Sequence, residues 1–183
     1  MAPQHFALLV ATVLFAAHVS AAPAQVPPPN SPLAVICKQV DLKTFCDLLT
    51  KARDNNDTTA KMMGTTGVVA TVLAPTDRGF VLTIKTMRKF LGVDDVAELK
   101  DNADLLSKFV KSHVVLGRAS DTRSWRAGNI LTNALTNALQ MVEGLKMNLF
   151  LKGPVNTSKV VRRNLKATKT LVQVMEVPIY FTP

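Results

Sequence analysis

The sequence predicts an α+β domain, and three observations predict it. Between residues 42 and 113, apolar residues recur at steps of three and four, the spacing of helices that bury one face. Within that half lies one apolar, β-branched run, Val68-Val69-Ala70-Thr71-Val72-Leu73-Ala74, the composition of a buried strand. Past residue 144 the pattern changes to alternation and short β-branched runs, the period of strands.

The chain of 183 residues suits one compact domain, and it shows no internal repeat. Hydrophobic residues make up 48% and charged residues 19%, which excludes a wholly disordered chain. The formal charge of +9 favours acidic partners: anionic polysaccharide, a membrane surface or nucleic acid.

Taken in order, Phe6 to Ala17 is an apolar run of signal-peptide length, and Val19-Ser20-Ala21 offers small residues for cleavage. Residues 1–21 are therefore read as a signal peptide. Secretion argues against nucleic acid. There is no second hydrophobic span, and Val177 to Pro183 is too short for a lipid-anchor signal, so a released protein without a membrane anchor is expected. Residues 22–32 hold five prolines and read as an extended spacer. The domain is expected over residues 33–183.

Leu42, Phe45, Cys46, Leu49 and Ala52 mark an amphipathic helix with Asp41 as its cap. In an oxidising compartment Cys37 and Cys46 can pair and close a short loop. Cys46 can equally be a small buried residue on the helix face. Arg53 to Thr59 reads as a polar loop, and Ala60, Met62 and Met63 as a short apolar patch before Gly64.

Pro75 ends the central strand, and Thr76 and Asp77 can then cap a helix by accepting from its free N–H groups. Phe80, Ile84, Met87 and Leu91 give that helix one apolar face, and Gly92 closes it. Val96 and Leu99 mark a short helix. Leu105, Leu106, Phe109, Val110 and His113 share a face of a longer one that starts near Asn102. Val114 to Leu116 turns extended until Gly117. Leu145, Met147, Leu149 and Leu151 alternate with polar or mixed neighbours as a half-buried strand. Val160-Val161 reads as a short strand, and Leu171 to Val177 as one apolar enough to be central.

After cleavage at Ala21 one histidine remains, His113. A zinc site needs three or four ligands, commonly His or Cys, which the chain does not supply without an unusual carboxylate set. A Ser-His-Asp relay would need His113 as its base, yet that residue sits on an apolar helix face and reads as core. Gly64 and Gly67 precede a strand and make no phosphate loop. The expectation is a non-enzyme with no metal and no cofactor.

Three features suit binding instead. Between Glu143 and Glu176 there is no acidic residue, yet Lys146, Lys152, Lys159, Arg162, Arg163, Lys166 and Lys169 are present. Such a block draws anionic polymers or simply forms a solvated face. Asn56-Asp57-Thr58 and Asn156-Thr157-Ser158 are glycosylation sequons in predicted loops. Methionines at 62, 63, 87, 141, 147 and 175 suit a shape-tolerant apolar surface or ordinary core filling.

Thr71-Val72-Leu73-Ala74-Pro75-Thr76-Asp77-Arg78-Gly79-Phe80 resembles the first signature of the fasciclin (FAS1) domain, usually near Thr-Val-Phe-Ala-Pro-Thr-Asp-x-Ala-Phe. Leu73 and Gly79 are mild departures. Leu42 to Ala52 resembles the family's first helix. The segment from Leu106 to Gly117 resembles its Tyr-His landmark, with Ser112 for the tyrosine and His113 kept. Thr170 to Val177 resembles the closing signature, with Gln173 where His is common and Glu176 where Asp is common. The resemblance covers about residues 33–179. It implies a FAS1 fold, a β-sandwich-like core wrapped by several α-helices, in which Thr76, Asp77, Phe80 and His113 are structural motif residues.

The family implies two functions. The first is cell adhesion or extracellular matrix binding to another protein or an anionic polysaccharide, and it needs fewer special assumptions. The second is carriage of an apolar small molecule, since secreted algal fasciclin proteins with a similar architecture bind carotenoids such as astaxanthin. For the second, Phe45, Leu49, Met62 and Met63 are expected to form one wall of the groove.

Overall fold

The computed structural model describes residues 26–143 and 148–182. Folded structure begins earlier than residue 33. The Ser31 N–H donates to Pro28 C=O in a turn, and the Ser31 side chain caps helix α1, Pro32–Cys37. Pro32 occupies the first helical position, where its missing N–H has no partner to lose. The end of the proline-rich stretch is thus part of the domain and not spacer.

Helix α2 spans Lys43–Asp54 and buries Phe45, Leu48, Leu49 and Ala52. Its cap corrects the expectation. Asp41 does not cap it but pairs with Arg162 at 2.6 Å. Asp77 accepts from the Thr44 N–H at 2.7 Å and the Lys43 N–H at 3.2 Å. The stretch read as polar loop and methionine patch contains helix α3, Thr58–Met63, capped by Asp57.

Strand β1, Ala70–Pro75, is buried at every position. Thr76 then caps helix α4, Asp77–Leu82, by accepting from the Gly79 N–H. The single helix expected through Leu91 is broken at Thr83, and α5 runs Ile84–Leu91. The Thr83 hydroxyl donates to Gly79 C=O and so accepts from the Tyr180 hydroxyl, each at 2.7 Å. That outside partner holds the break. Gly92 closes α5 in the left-handed conformation, φ 71°. Helices α6, Val96–Asp101, and α7, Ala103–Ser112, follow with side-chain caps from Asp95 and Asn102.

The remaining strands are β2 Val114–Leu116, β3 Ile130–Thr132, β4 Ala138–Glu143, β5 Leu149–Lys152, β6 Thr157–Ala167 and β7 Thr170–Met175. Of these, β3 and β4 carry no clear sequence pattern, and β6 is far longer than Val160-Val161. Residues 144–147, where the half-buried strand was expected to begin, lie outside the described residues. The sheet order is β2-β1-β7-β6-β5-β4-β3. The pairing of β1 with β7 is parallel, and the other pairs are antiparallel. A parallel neighbour cannot come from a hairpin, so the last strand must cross back to lie beside the first.

The sheet curls on itself. All seven strands contribute to one inner cluster, through Leu73, Val115, Leu131, Leu139, Met141, Leu151, Val160 and Met175. The Ala134 N–H donates to Val114 C=O and the Asn133 side-chain amide to Ser112 C=O, tying the β3 end to the β2 end. Two bulges in β6 supply the bend. The opposite face of β1 and β7 (Ala70, Val72, Ala74, Val172, Val174) packs under the helices in a second, larger cluster.

Candidate functional site

The motif residues meet at the junction of β1, α4, α7 and the C-terminal segment, where their roles are structural. The Thr76 hydroxyl donates to Glu176 C=O at 2.8 Å, Asp77 caps α2, and the Phe80 ring packs 5.9 Å from that of Phe109. His113 is fully buried between Phe45 and Phe109. Its Nδ1 lies 2.8 Å from Phe109 C=O and its Nε2 3.0 Å from the Ile179 N–H. A carbonyl only accepts and an N–H only donates, so Nδ1 carries the proton and Nε2 is the acceptor. Burial lowers the His113 pKa from 6.5 to about 4, against the opposing pull of Phe109 C=O. Ser112 Oγ lies 2.9 Å from Nδ1. That nitrogen is already protonated, so it offers the serine no base.

The expected apolar wall is not a wall. Phe45, Leu49 and Met63 are fully buried in the larger core, and only Met62 is partly exposed. The helical face that was read as open to a ligand is the face α2 packs inward, and α3 places Met63 beneath it.

A groove does exist, on the other flank of α2. It is bounded by α2, α4, the start of α5 and α6, with a volume of about 420 Å³. Leu48, Phe80, Val81, Ile84 and Val96 line it with apolar surface, and Asp47, Asp77, Asp95 and Lys100 bring the charges. The sequence signal for it is Val81-Leu82, apolar residues that fall off the buried face of α4.

The basic block is divided. Lys152 and Lys159 share the outer face of β5–β6, since Lys152 lies opposite Thr157 and Lys159 opposite Phe150. The first bulge turns Arg162 to the helix-covered side, where Asp41 and Gln39 bind it. Arg163 is exposed beyond that bulge, Lys166 is exposed near the far end of β6 and Lys169 in the turn to β7. Lys146 lies outside the described residues. Among the described residues the block is therefore split, with Arg162 turned away from the face that carries Lys152 and Lys159.

Cys37 and Cys46 form a disulfide between α1 and α2, nine residues apart in sequence. In the chain-entropy account, a loop of that length contributes about 2–3 kcal/mol.

The two sequons differ. Asn56 is exposed, with φ 68°, in the turn between α2 and α3. Asn156 lies in the loop between β5 and β6, as expected, but its side chain is held at both ends. Its side-chain N–H donates to Pro178 C=O at 2.8 Å, and its oxygen accepts from the Tyr180 N–H at 2.9 Å. Ser158, the sequon hydroxyl, is buried and donates to Val177 C=O. Peptide mapping of the protein from its own source is expected to find glycan on Asn56 and an unmodified Asn156. Full occupancy at Asn156 would show that its folded hydrogen bonds do not limit modification.

A curled sheet with helices over one face is the architecture of an α+β domain of FAS1 type. The structure of a FAS1 domain pair from the insect cell adhesion molecule fasciclin I matches with a TM-score of 0.64 at 12% identity. The match covers 82% of this chain and 51% of that one, so this chain spans about half of that structure's length. At such identity the likeness shows the fold alone. The family model of the Fasciclin domain matches residues 40–181, and the chain belongs to the fasciclin family. No curated protein matches it. Fasciclin domains occur in extracellular proteins and are generally non-enzymatic, adhesion-type domains. Among the described residues no helix is long and apolar enough to cross a membrane.

Proposed function

We propose that this protein acts outside the cell as a non-enzymatic binding domain in adhesion or the extracellular matrix, with an anionic polysaccharide as its partner. One observation carries the reading. The outer face of β3–β6 is left uncovered, and it is apolar and basic together. Register places Gln140 beside both Ile130 and Lys152, and Phe150 beside both Val142 and Lys159. Ile130 is 57% exposed, Val161 44% and Val142 37%. No acidic residue between Glu143 and Glu176 offsets the lysines. Such a face attracts a polyanion and gives the apolar faces of sugar rings a surface to cover. The signal-peptide pattern of residues 1–21 supports secretion.

The protein is expected to be retained on a sulfated-polysaccharide column at low salt and to elute as salt rises, because exposed charges are screened. Replacing Lys152→Glu and Lys159→Glu together is expected to bring elution to clearly lower salt. Unchanged elution of that variant would sink the assignment of this face. Carriage of a carotenoid such as astaxanthin is a second reading. Its support is the apolar lining of the groove beside α2, not the Phe45–Met63 wall, although the acidic residues of that groove find no partner on a neutral carotenoid; a visible absorption band in the protein from its own source separates it from adhesion.

A further inference from the structure

The groove beside α2 is lined by helices and lies outside the β3–β6 face proposed for polysaccharide. Val81 at its edge is 74% exposed and the adjacent Leu82 59% exposed, so the mouth of a concave apolar site is left for a ligand to cover. Its charge is also distinctive. Among the described residues that line it, Asp47, Asp77 and Asp95 stand against one cation, Lys100, on a chain whose formal charge is +9. The Lys43 and Thr44 N–H groups hold Asp77, and the Glu98 N–H holds Asp95. Those bonds orient the two acidic side chains. The Asp47 side chain is exposed and makes no hydrogen bond or ion pair among the described residues. A concavity lined by an excess of one sign focuses its field on a ligand of the other.

We infer that this groove binds a small apolar molecule carrying one cationic head, of the alkylamine class. Its chain lies on Phe80, Val81, Ile84 and Val96, and its ammonium sits at the Asp47 and Asp95 rim. A neutral apolar ligand leaves the acidic rim without a partner, and an anionic amphiphile meets repulsion there. The volume of about 420 Å³ falls within the range of small-molecule sites. The inference stands apart from the polysaccharide reading, which concerns the opposite charge on another face.

The test is a titration of the isotope-labelled protein with octylammonium, octanol and octanoate, following the amide resonances of Leu48, Val81, Ile84 and Ala97. Octylammonium is expected to shift these residues saturably and to bind about tenfold more tightly than octanoate, with octanol between them. The double variant Asp47→Asn, Asp95→Asn keeps a capping side chain at position 95 and is expected to bring the three probes within about twofold of one another. Val81→Ser is expected to weaken octylammonium and octanol alike. Shifts confined to other residues, equal affinities for the three probes in the unaltered protein, or no saturable shift would overturn the inference.

Discussion

Acidification from pH 7 to pH 4 is expected to lower folding stability by about 3 kcal/mol through His113 alone. Two backbone groups fix the ring in one neutral tautomer. A proton added at Nε2 would face the Ile179 N–H, donor against donor, in a site closed to water. The folded pKa of about 4 lies below the ordinary value of 6.5, so the unfolded chain takes up the proton first. This contribution is complete above pH 6.5, and it is lost as pH falls toward 4. Asp121 acts mostly below this window: its carboxyl, held down to about 2 by hydrogen bonds from Arg123, exchanges protons on unfolding chiefly around and below its ordinary 3.8. Urea denaturation at pH 7, 5.5 and 4 measures the slope. His113→Gln is expected to be less stable at pH 7 but to have a flat profile between pH 6.5 and 4. A sloping profile in that variant would assign the effect to another group.

Gly79→Ala is expected to destabilise the fold by about 2–3 kcal/mol, although alanine is the better helix former by about 1 kcal/mol. A Cβ at position 79 would overlap Glu176 O and lie 2.8 Å from Val177 Cα. Both are backbone atoms and cannot rotate away. The first turn of α4 and the exit of β7 would have to separate, and the Thr76 to Glu176 hydrogen bond would go with them. The fasciclin signature usually has alanine here, so in this chain the C-terminal segment has settled onto the glycine. For a domain of this size the loss corresponds to a Tm lower by about 4–12 °C. Gly67→Ala is the control: nothing lies within 4 Å of its Cβ position, and its Tm is expected to stay unchanged. Equal melting of the two variants would contradict the close approach.

Local features were legible where their cause lies within a turn or two of chain. The apolar faces of α2, α5 and α7, the Thr76 cap, the Gly92 stop and the buried β1 all follow from side-chain spacing and backbone preference. The family signature carried the FAS1 fold within that α+β class, because it spans the strand-to-helix junction on which the domain is built. Strands β3 and β4 were not legible. Strand β3 has three residues, and β4 sends only Leu139 and Met141 into the inner cluster.

The candidate sites were less legible, for one physical reason. A side chain's role depends on which surface it meets, and that surface is often distant in sequence. Asp77 rather than Asp41 caps α2, across 33 residues. Asn156 binds the C-terminal segment instead of standing free for a glycan. Met63 enters the core because α3 folds under α2, and the bulges of β6 divide a basic run that is continuous on paper. The sequence by itself determined the apolar faces of α2, α5 and α7, the central strand and the family. The pairing of β1 with β7, the division of the lysines and the acidic-rimmed groove were decided only when the sheet curled and brought those distant surfaces together.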